Sequence, residues 1–296
     1  MKDAVVCVRG KYRLSVRRLA RVFEVHRSSI GRWIGPKRGV SGKPRRLRPV
    51  TDNREIRQKV QRVCLSPREH QRGHRMVRAL LRRRFGLHLS RKSVLRIMRE
   101  LKLTRPRKRY KPKRPKRVVK MRPTAPNQAW QIDMTSFQLS NFRPVFLVTV
   151  IDCFTRQIVG WTMDQRCRAK EWSAAVREAL ESRGLIKKSD CQNLVLRSDN
   201  GAQPCSRKFT QFLKRRGVVG QYTGYNAPDD NAFVERVIRT IKDEEIWISE
   251  YDRFSEARQA IARYIQYYNS QRIHSALDYR TPDEVFHAAT FSLNAA

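Results

Sequence analysis

The sequence predicts a multidomain chain: all-α helix-turn-helix modules, then an α/β domain with a mixed five-stranded sheet and helices on both faces. Three observations carry this reading. Residues 1–124 hold 42 Lys and Arg against 6 Asp and Glu, whereas the other 172 residues hold 23 against 20. Apolar residues recur at helical spacing through the basic part, then give way from Pro126 to short strand-like runs alternating with helical ones. Stretches rich in Gly, Pro and charge at 35–50 and 105–122 separate these regions.

In the first module, 1–40, Ser15 caps a helix with Val16, Leu19, Ala20 and Phe23 turned inward. A break at Glu24–His26 precedes a second helix, starting near Arg27–Ser28 and burying Ile30, Trp33 and Ile34. This is the helix-turn-helix pattern, with Arg27, Ser28 and Arg32 as DNA-facing candidates; an ordinary helical hairpin is the alternative. Glu24 stands at the turn where Gly is common, and a left-handed conformation there costs about 1 kcal/mol relative to Gly.

After a linker at 41–51, a second helical module spans 52–104. Ile56, Val60 and Val63 mark its first helix, and Met76, Val77, Leu80 and Leu81 its second. Beyond Gly86, Ser90 caps a third helix with Val94, Leu95, Ile97 and Met98 as the buried stripe. Arg91, Lys92, Arg96 and Arg99 fall mostly on its outer side, suited to phosphates or a groove, although basic helix faces are also plain solvated surface.

Residues 105–122 contain 11 Lys and Arg and three prolines, a composition that cannot build a core. Arg107, Lys108, Arg109, Lys111, Lys113 and Arg114 are expected on the phosphate backbone, each neutralised phosphate adding about 0.9 to the salt slope. This basic linker, 105–124, leads into the α/β domain, 125–248, and a helical extension, 249–296.

A formal charge of +39 points to a polyanionic partner, and 40% hydrophobic residues suffice for real cores. The six cysteines are scattered with no C-x-x-C, so neither a disulfide framework nor a zinc finger is expected. The longest apolar run, Val145–Ile151, is too short to span a bilayer, and no secretory leader is evident. The expected setting is the cytoplasm, at the nucleoid.

Within the α/β domain, strands are expected at Gln131–Thr135, Val145–Ile151, Gln157–Met163, Leu194–Arg197 and Val218–Tyr222, with helices at 170–183 and 207–216. Three acids stand out: Asp133 in W-Q-I-D-M-T, Asp199 in S-D-N-G, and Glu235 in D-N-A-F-V-E, with 35 residues between the last two. Hard divalent cations take oxygen ligands and retain waters, so a few carboxylates suffice to hold them. Two ions roughly 3.5–4 Å apart can neutralise a transferring phosphoryl group and serve both attacking and leaving oxygens. Lys242 follows Glu235 by seven residues, about two helical turns, and Arg239 borders the same stripe. Either could hold a DNA end or be ordinary surface. Asn200, Gly201 and Asn231 flank the acids, as orienting groups or as turn formers.

Taken with its flanking motifs, this set resembles the DDE transposases of bacterial insertion sequences, whose catalytic core is of the retroviral-integrase type. The resemblance covers nearly the whole chain. It includes G-H-R-M-V-R-A-L-L-R-R-R-F-G at 73–86 and Y-N-S-Q-R-I-H-S-A-L-D-Y-R-T-P at Tyr268–Pro282. It implies a ribonuclease H-like core, Asp133, Asp199 and Glu235 as catalytic and metal-binding triad, and Lys242 as a basic partner. It also implies two Mg²⁺ or Mn²⁺ ions, and 3′-end cleavage and strand transfer on terminal repeats and target DNA. A homo-oligomer of at least two protomers is expected, and the product of an upstream reading frame as a further partner. The chain departs from the pattern in lacking a His/Cys zinc module and in Gly224–Asp230, which differs from the usual approach to the D-N pair. The alternatives are a DNA-binding regulator without catalysis and a hydrolytic nuclease acting on RNA–DNA hybrids.

Overall fold

The computed structural model describes residues 1–12, 14–34, 53–69, 72–104, 123–185, 187, 191, 193–223 and 231–294. They fall into two compact units, Met1–Asn53 and Arg54–Ala296.

The first unit packs three helices, α1 (Lys2–Tyr12), α2 (Val16–Val22) and α3 (Arg27–Ile34), around Val5, Leu19 and Ile30. Ser15 caps α2 by accepting the Arg18 amide at 3.4 Å. Glu24 is left-handed at φ 52°, as the helix-turn-helix reading requires. α1 was not expected, because Val5 is its only buried residue and its periodicity is faint.

The second unit begins with α4 (Asn53–Cys64), α5 (His74–Phe85) and α6 (Arg91–Glu100). Gly86 ends α5 at φ 64°, and Ser90 opens α6 by accepting the Ser93 amide at 3.0 Å. Val60, Val63, Val77, Leu80, Leu81, Val94, Ile97 and Met98 form their core. That core also takes in Ile273, with Tyr279 packed against it, from far along the chain.

The sheet comprises β1 (Ala129–Gln138), β2 (Pro144–Asp152), β3 (Ile158–Asp164), β4 (Val195–Ser198) and β5 (Val219–Tyr222) in the order β3-β2-β1-β4-β5. The first three strands pair antiparallel, and β4 and β5 run parallel to β1. Alternation along β1 sends Trp130 and Ile132 into the core with α7 (Ala169–Ser182) and α8 (Arg207–Arg216). Gln131, Asp133, Thr135 and Phe137 take the opposite face, covered by α9 (Ala232–Glu244) and α10 (Phe254–Ser270). The mixed five-stranded sheet with helices on both faces is therefore present.

α7 lies close on β3 because residue 160 has no side chain. A Cβ there would sit 2.6 Å from the Ala179 amide nitrogen and 2.7 Å from its Cβ. Gly160→Ala should destabilise the chain by about 1–3 kcal/mol, measured by urea titration.

Two helices, α10 and α11 (Pro282–Asn294), end the described chain, and α10 packs into the sheet domain. Ala257, Ile261, Tyr264 and Tyr268 of α10 are buried in the same core as β2 and α9. Asn269 brackets Ile158 with two 2.9 Å bonds, one to its amide and one to its carbonyl, beside the register shift between β2 and β3. No helix among the described residues is long and apolar enough to cross a membrane.

Candidate active site

The register brings the three acids to one end of the sheet. β4 runs beside β1 with Gln131 opposite Arg197, so Asp199, just past the end of β4, falls level with Asp133. Glu235 comes from the first turn of α9, which the face of β1 holding Asp133 positions directly. Gln131, buried two residues before Asp133, accepts the amides of Phe233 and Val234 at 3.0 and 3.1 Å. Asn231 donates to the Ile132 carbonyl at 3.3 Å, tying the start of α9 to the residue preceding Asp133. Arg156 lies over the Phe233 ring, 3.4 Å from its centroid.

Asp133 is half-buried, while Asp199 and Glu235 are exposed. Burial pushes the Asp133 carboxyl up to about 6, against the 2.7 Å bond it accepts from the Met134 amide. Asp199 and Glu235 add to the rise by charge repulsion, and Lys242 opposes it. All four groups thus act on one locus. Among the described residues, no three His, Cys, Asp or Glu lie close enough together to hold a metal ion as they stand. The donor chemistry nonetheless fits a hard divalent cation: carboxylates only, no thiolate or imidazole, and a half-buried acid burdened by two like charges.

The raised acid has a consequence for stability. A carboxyl whose folded pKa exceeds its unfolded value makes the folded state bind the proton more tightly, so stability falls as pH rises from about 4 to about 6. The loss attributable to Asp133 amounts to at most about 3 kcal/mol. Asp133→Asn should therefore melt at a higher temperature than the parent above pH 6 in EDTA, and should gain less from added Mn²⁺. A thermal melt with and without metal checks both.

A fully buried aspartate shows what a structural acid looks like here. Asp152 accepts from the amides of Asn127, Phe154 and Thr155, the Thr155 hydroxyl and the Trp130 indole, at 2.7 to 3.2 Å. The Trp of W-Q-I-D thus anchors this neighbouring acid, which closes the β2–β3 turn.

Glycine at 201 has a specific reason. A Cβ there would lie 3.2 and 3.4 Å from the two Asp199 carboxylate oxygens, while the Gly201 amide donates to Oδ1 at 3.2 Å. Asn200 turns away to the Thr223 carbonyl at 2.8 Å.

The far end of α9 is fixed by a buried charged network. Glu244 accepts two bonds from Arg272, at 2.7 and 2.9 Å, and one from the Tyr264 hydroxyl at 3.0 Å. Arg72 approaches Glu244 at 3.6 Å and donates to Tyr267 at 3.1 Å. His274 lies 3.3 Å from Arg272, and burial together with that cation pushes it down to about 3. Arg272 and His274 come from Y-N-S-Q-R-I-H, so this motif braces the helix that holds Glu235, while its Asn269 holds β3. Sequence reading marked the motif but not its task. Gln131 it missed outright, although alternation in W-Q-I-D places a polar residue on the Asp133 face.

Arg239 is bonded to Asp243 at 3.1 Å and stacked 4.6 Å from the Trp247 ring, rather than pointing at the carboxylates. Arg27, Ser28 and Arg32 are exposed on α3, with the Ser28 hydroxyl 2.8 Å from His26 Nδ1. Arg91, Lys92 and Arg96 are exposed on α6, and Arg96 lies 3.7 Å from Glu100. Arg107, Lys108, Arg109, Lys111, Lys113 and Arg114 lie outside the described residues.

An antiparallel triplet continued by two parallel strands, with helices on both faces and acids on the first strand, past the fourth and on the helix after the fifth, is a ribonuclease H-like core of the integrase type. Integrase core domain models match residues 123–224 and 216–282, and an HTH-like domain model matches 51–111. A 31.7 kDa protein of insertion element IS407 from Burkholderia multivorans is 33% identical over 76% of this chain and 79% of its own. The transposase of IS904 from Lactococcus lactis is 35% identical over 54% of this chain and 62% of its own. The putative transposase InsK of IS150 from Escherichia coli is 32% identical over 54% of this chain. Those two matches thus span between about half and two thirds of the relatives' length, 62% and 55%. The chain belongs to the family of bacterial insertion-sequence transposases with an integrase core.

Proposed function

We propose that this chain is an active transposase, which binds the ends of a mobile DNA element, cleaves them at their 3′ ends and joins them to target DNA. The observation that carries this reading is that Asp199, Glu235 and Lys242 all act by charge on Asp133, the four groups coming from three places in the fold, β1, the end of β4 and α9. In it, Asp133, Asp199 and Glu235 would hold two Mg²⁺ or Mn²⁺ ions. Bound there, such ions would neutralise the phosphate and stabilise the attacking and leaving oxygens.

The residues of the chain do the rest. Lys242 offers its ammonium to a phosphate beside the acids. Gln131 and Asn231 hold Glu235 to the β1 face, and Gly201 leaves Asp199 room. Water attacks phosphorus in the first step and the freed 3′-hydroxyl in the second, each displacing a 3′ oxygen in line. The helical modules, 1–40 and 52–104, would supply DNA contact through Arg27, Ser28, Arg32, Arg91, Lys92 and Arg96, and the basic linker would supply phosphate contact. Joining two ends to one target calls for at least two protomers in the complex, with the upstream-frame product as a further partner in the cytoplasm.

The purified chain, incubated with supercoiled plasmid and with candidate element ends, should nick and join DNA in Mg²⁺ or Mn²⁺ but not in Ca²⁺. Cleavage confined to RNA–DNA hybrids would replace this reading with a hydrolytic nuclease, and tight binding without any cleavage with a regulator.

A further inference from the structure

Residues 200–228 hold five Lys and Arg and no Asp or Glu. The rest of the stretch 125–296 holds 18 against 20. The whole positive excess of the α/β domain and its helical extension therefore lies on one element, α8, which carries Arg207, Lys208, Lys214, Arg215 and Arg216.

α8 concentrates that charge further. Arg207, Lys208, Gln211, Lys214 and Arg215 are exposed, and 3.6 residues per turn puts them on one face, opposite buried Phe209 and Leu213. Among the described residues, no ion pair or side-chain hydrogen bond engages those four cations. Arg239 on α9, by contrast, is answered by Asp243.

Helix chemistry accounts for only half of this stripe. Lys214 and Arg215 stand in the last turn, where the macrodipole favours cations. Arg207 and Lys208 stand in the first turn, where it disfavours them and no acid offsets them. A positive first turn is a poor choice for the helix alone and suits a negative partner outside it. The stripe is about 12 Å long at 1.5 Å per residue, a length of duplex that carries about seven phosphates. Contacts to phosphates position a duplex without reading its bases.

Which duplex it holds follows from the two faces of the sheet. α7 and α8 cover one face, and α9 and α10 the other. The α4–α6 module is joined to α10 and α11, by Arg72 to Tyr267 and Arg83 to Glu284, each at 3.1 Å, and it shares Ile273. The acids lie at the end of the sheet, and α8 begins eight residues past Asp199. Resting on the functional reading above, in which the helical modules hold the element ends, we propose that the 207–215 stripe is the docking surface for the backbone of target DNA. The two duplexes then approach the carboxylates from opposite faces of the sheet.

The test uses the whole 296-residue chain with Arg207, Lys208, Lys214 and Arg215 all replaced by Gln. Its melting temperature should match or exceed that of the parent, because the first turn of α8 loses two unfavourable charges. On a labelled random-sequence duplex in Ca²⁺, the slope of log affinity against log salt should become shallower by about 2–4. A charge-preserving variant, Arg207→Lys, Lys208→Arg, Lys214→Arg and Arg215→Lys, should keep the parent slope. In Mn²⁺, joining of pre-cleaved element ends to plasmid should fall about tenfold or more in the Gln variant, while nicking of uncleaved ends stays within about twofold. An unchanged slope overturns the proposal, as does unchanged joining. So does an equal loss of nicking and joining, which would assign the stripe to the element end. A parent chain that neither nicks nor joins fails the functional reading alone, and the salt slope still decides whether the stripe holds DNA.

Discussion

With Asp199 replaced by asparagine, cleavage and joining should fall by about a thousandfold or more, while DNA affinity stays within about twofold of the parent. The substitution keeps the size and shape of the side chain but removes one negative charge from beside Asp133. Asp199 is exposed beyond β4 and takes no part in either hydrophobic cluster of the sheet domain, so the fold should survive. Losing one of three mutually repelling carboxylates should raise the metal-free melting temperature slightly. A gel assay of nicking and joining, paired with a binding isotherm in Ca²⁺, separates the two effects. Joining retained at a tenth of the parent rate would remove Asp199 from the chemistry.

The second large effect concerns the brace behind α9. Arg272→Met leaves the buried Glu244 carboxylate without its two-pronged partner, facing only Tyr264 and Arg72 at 3.6 Å. Breaking such a pair on one side costs about 3–5 kcal/mol, which in a unit of this size lowers the melting temperature by roughly 10 °C. Replacing both members, Glu244→Leu with Arg272→Met, should cost less than the single change, because no charge is then stranded. Circular dichroism melts of the three variants decide this. A double variant less stable than either single would show that the pair, rather than its burial, supplies the stability. Because the network ends on the helix that carries Glu235, Arg272→Met should also slow catalysis below its own melting point.

Periodicity made most of the fold legible. The five strands, α7, α8 and the three helices of the second helical module follow from apolar spacing and from punctuation such as Ser90 and Gly86. The left-handed Glu24 was readable because a helix-turn-helix leaves little choice at that turn. Less visible were features set by distant contacts. α1 buries one residue, so its pattern carries little signal. β1 runs to Gln138 because it pairs with β2 along its whole length, from Trp130 opposite Asp152 to Gln138 opposite Pro144. The three acids stand out in the sequence by their flanking motifs, and the close approach at Gly201 shows there only in part. That Gln131 receives two helix amides, or that Arg272 answers Glu244 across 28 residues, depends on how α9 and α10 cross the sheet. Neither period 2 nor period 3.6 encodes such a crossing.

The apolar centre shared by α4, α5 and α6 is completed by Ile273, about 170 residues downstream of α6. On the ribosome, this segment is synthesised early and its missing wedge late. A nascent chain halted anywhere before the Tyr268–Pro282 motif would display an unfinished module and an unbraced α9 at the same time. Completion of the α4–α6 module and bracing of α9 are thereby tied to a single late event in translation, so that truncated chains are expected to be destabilised at both places at once.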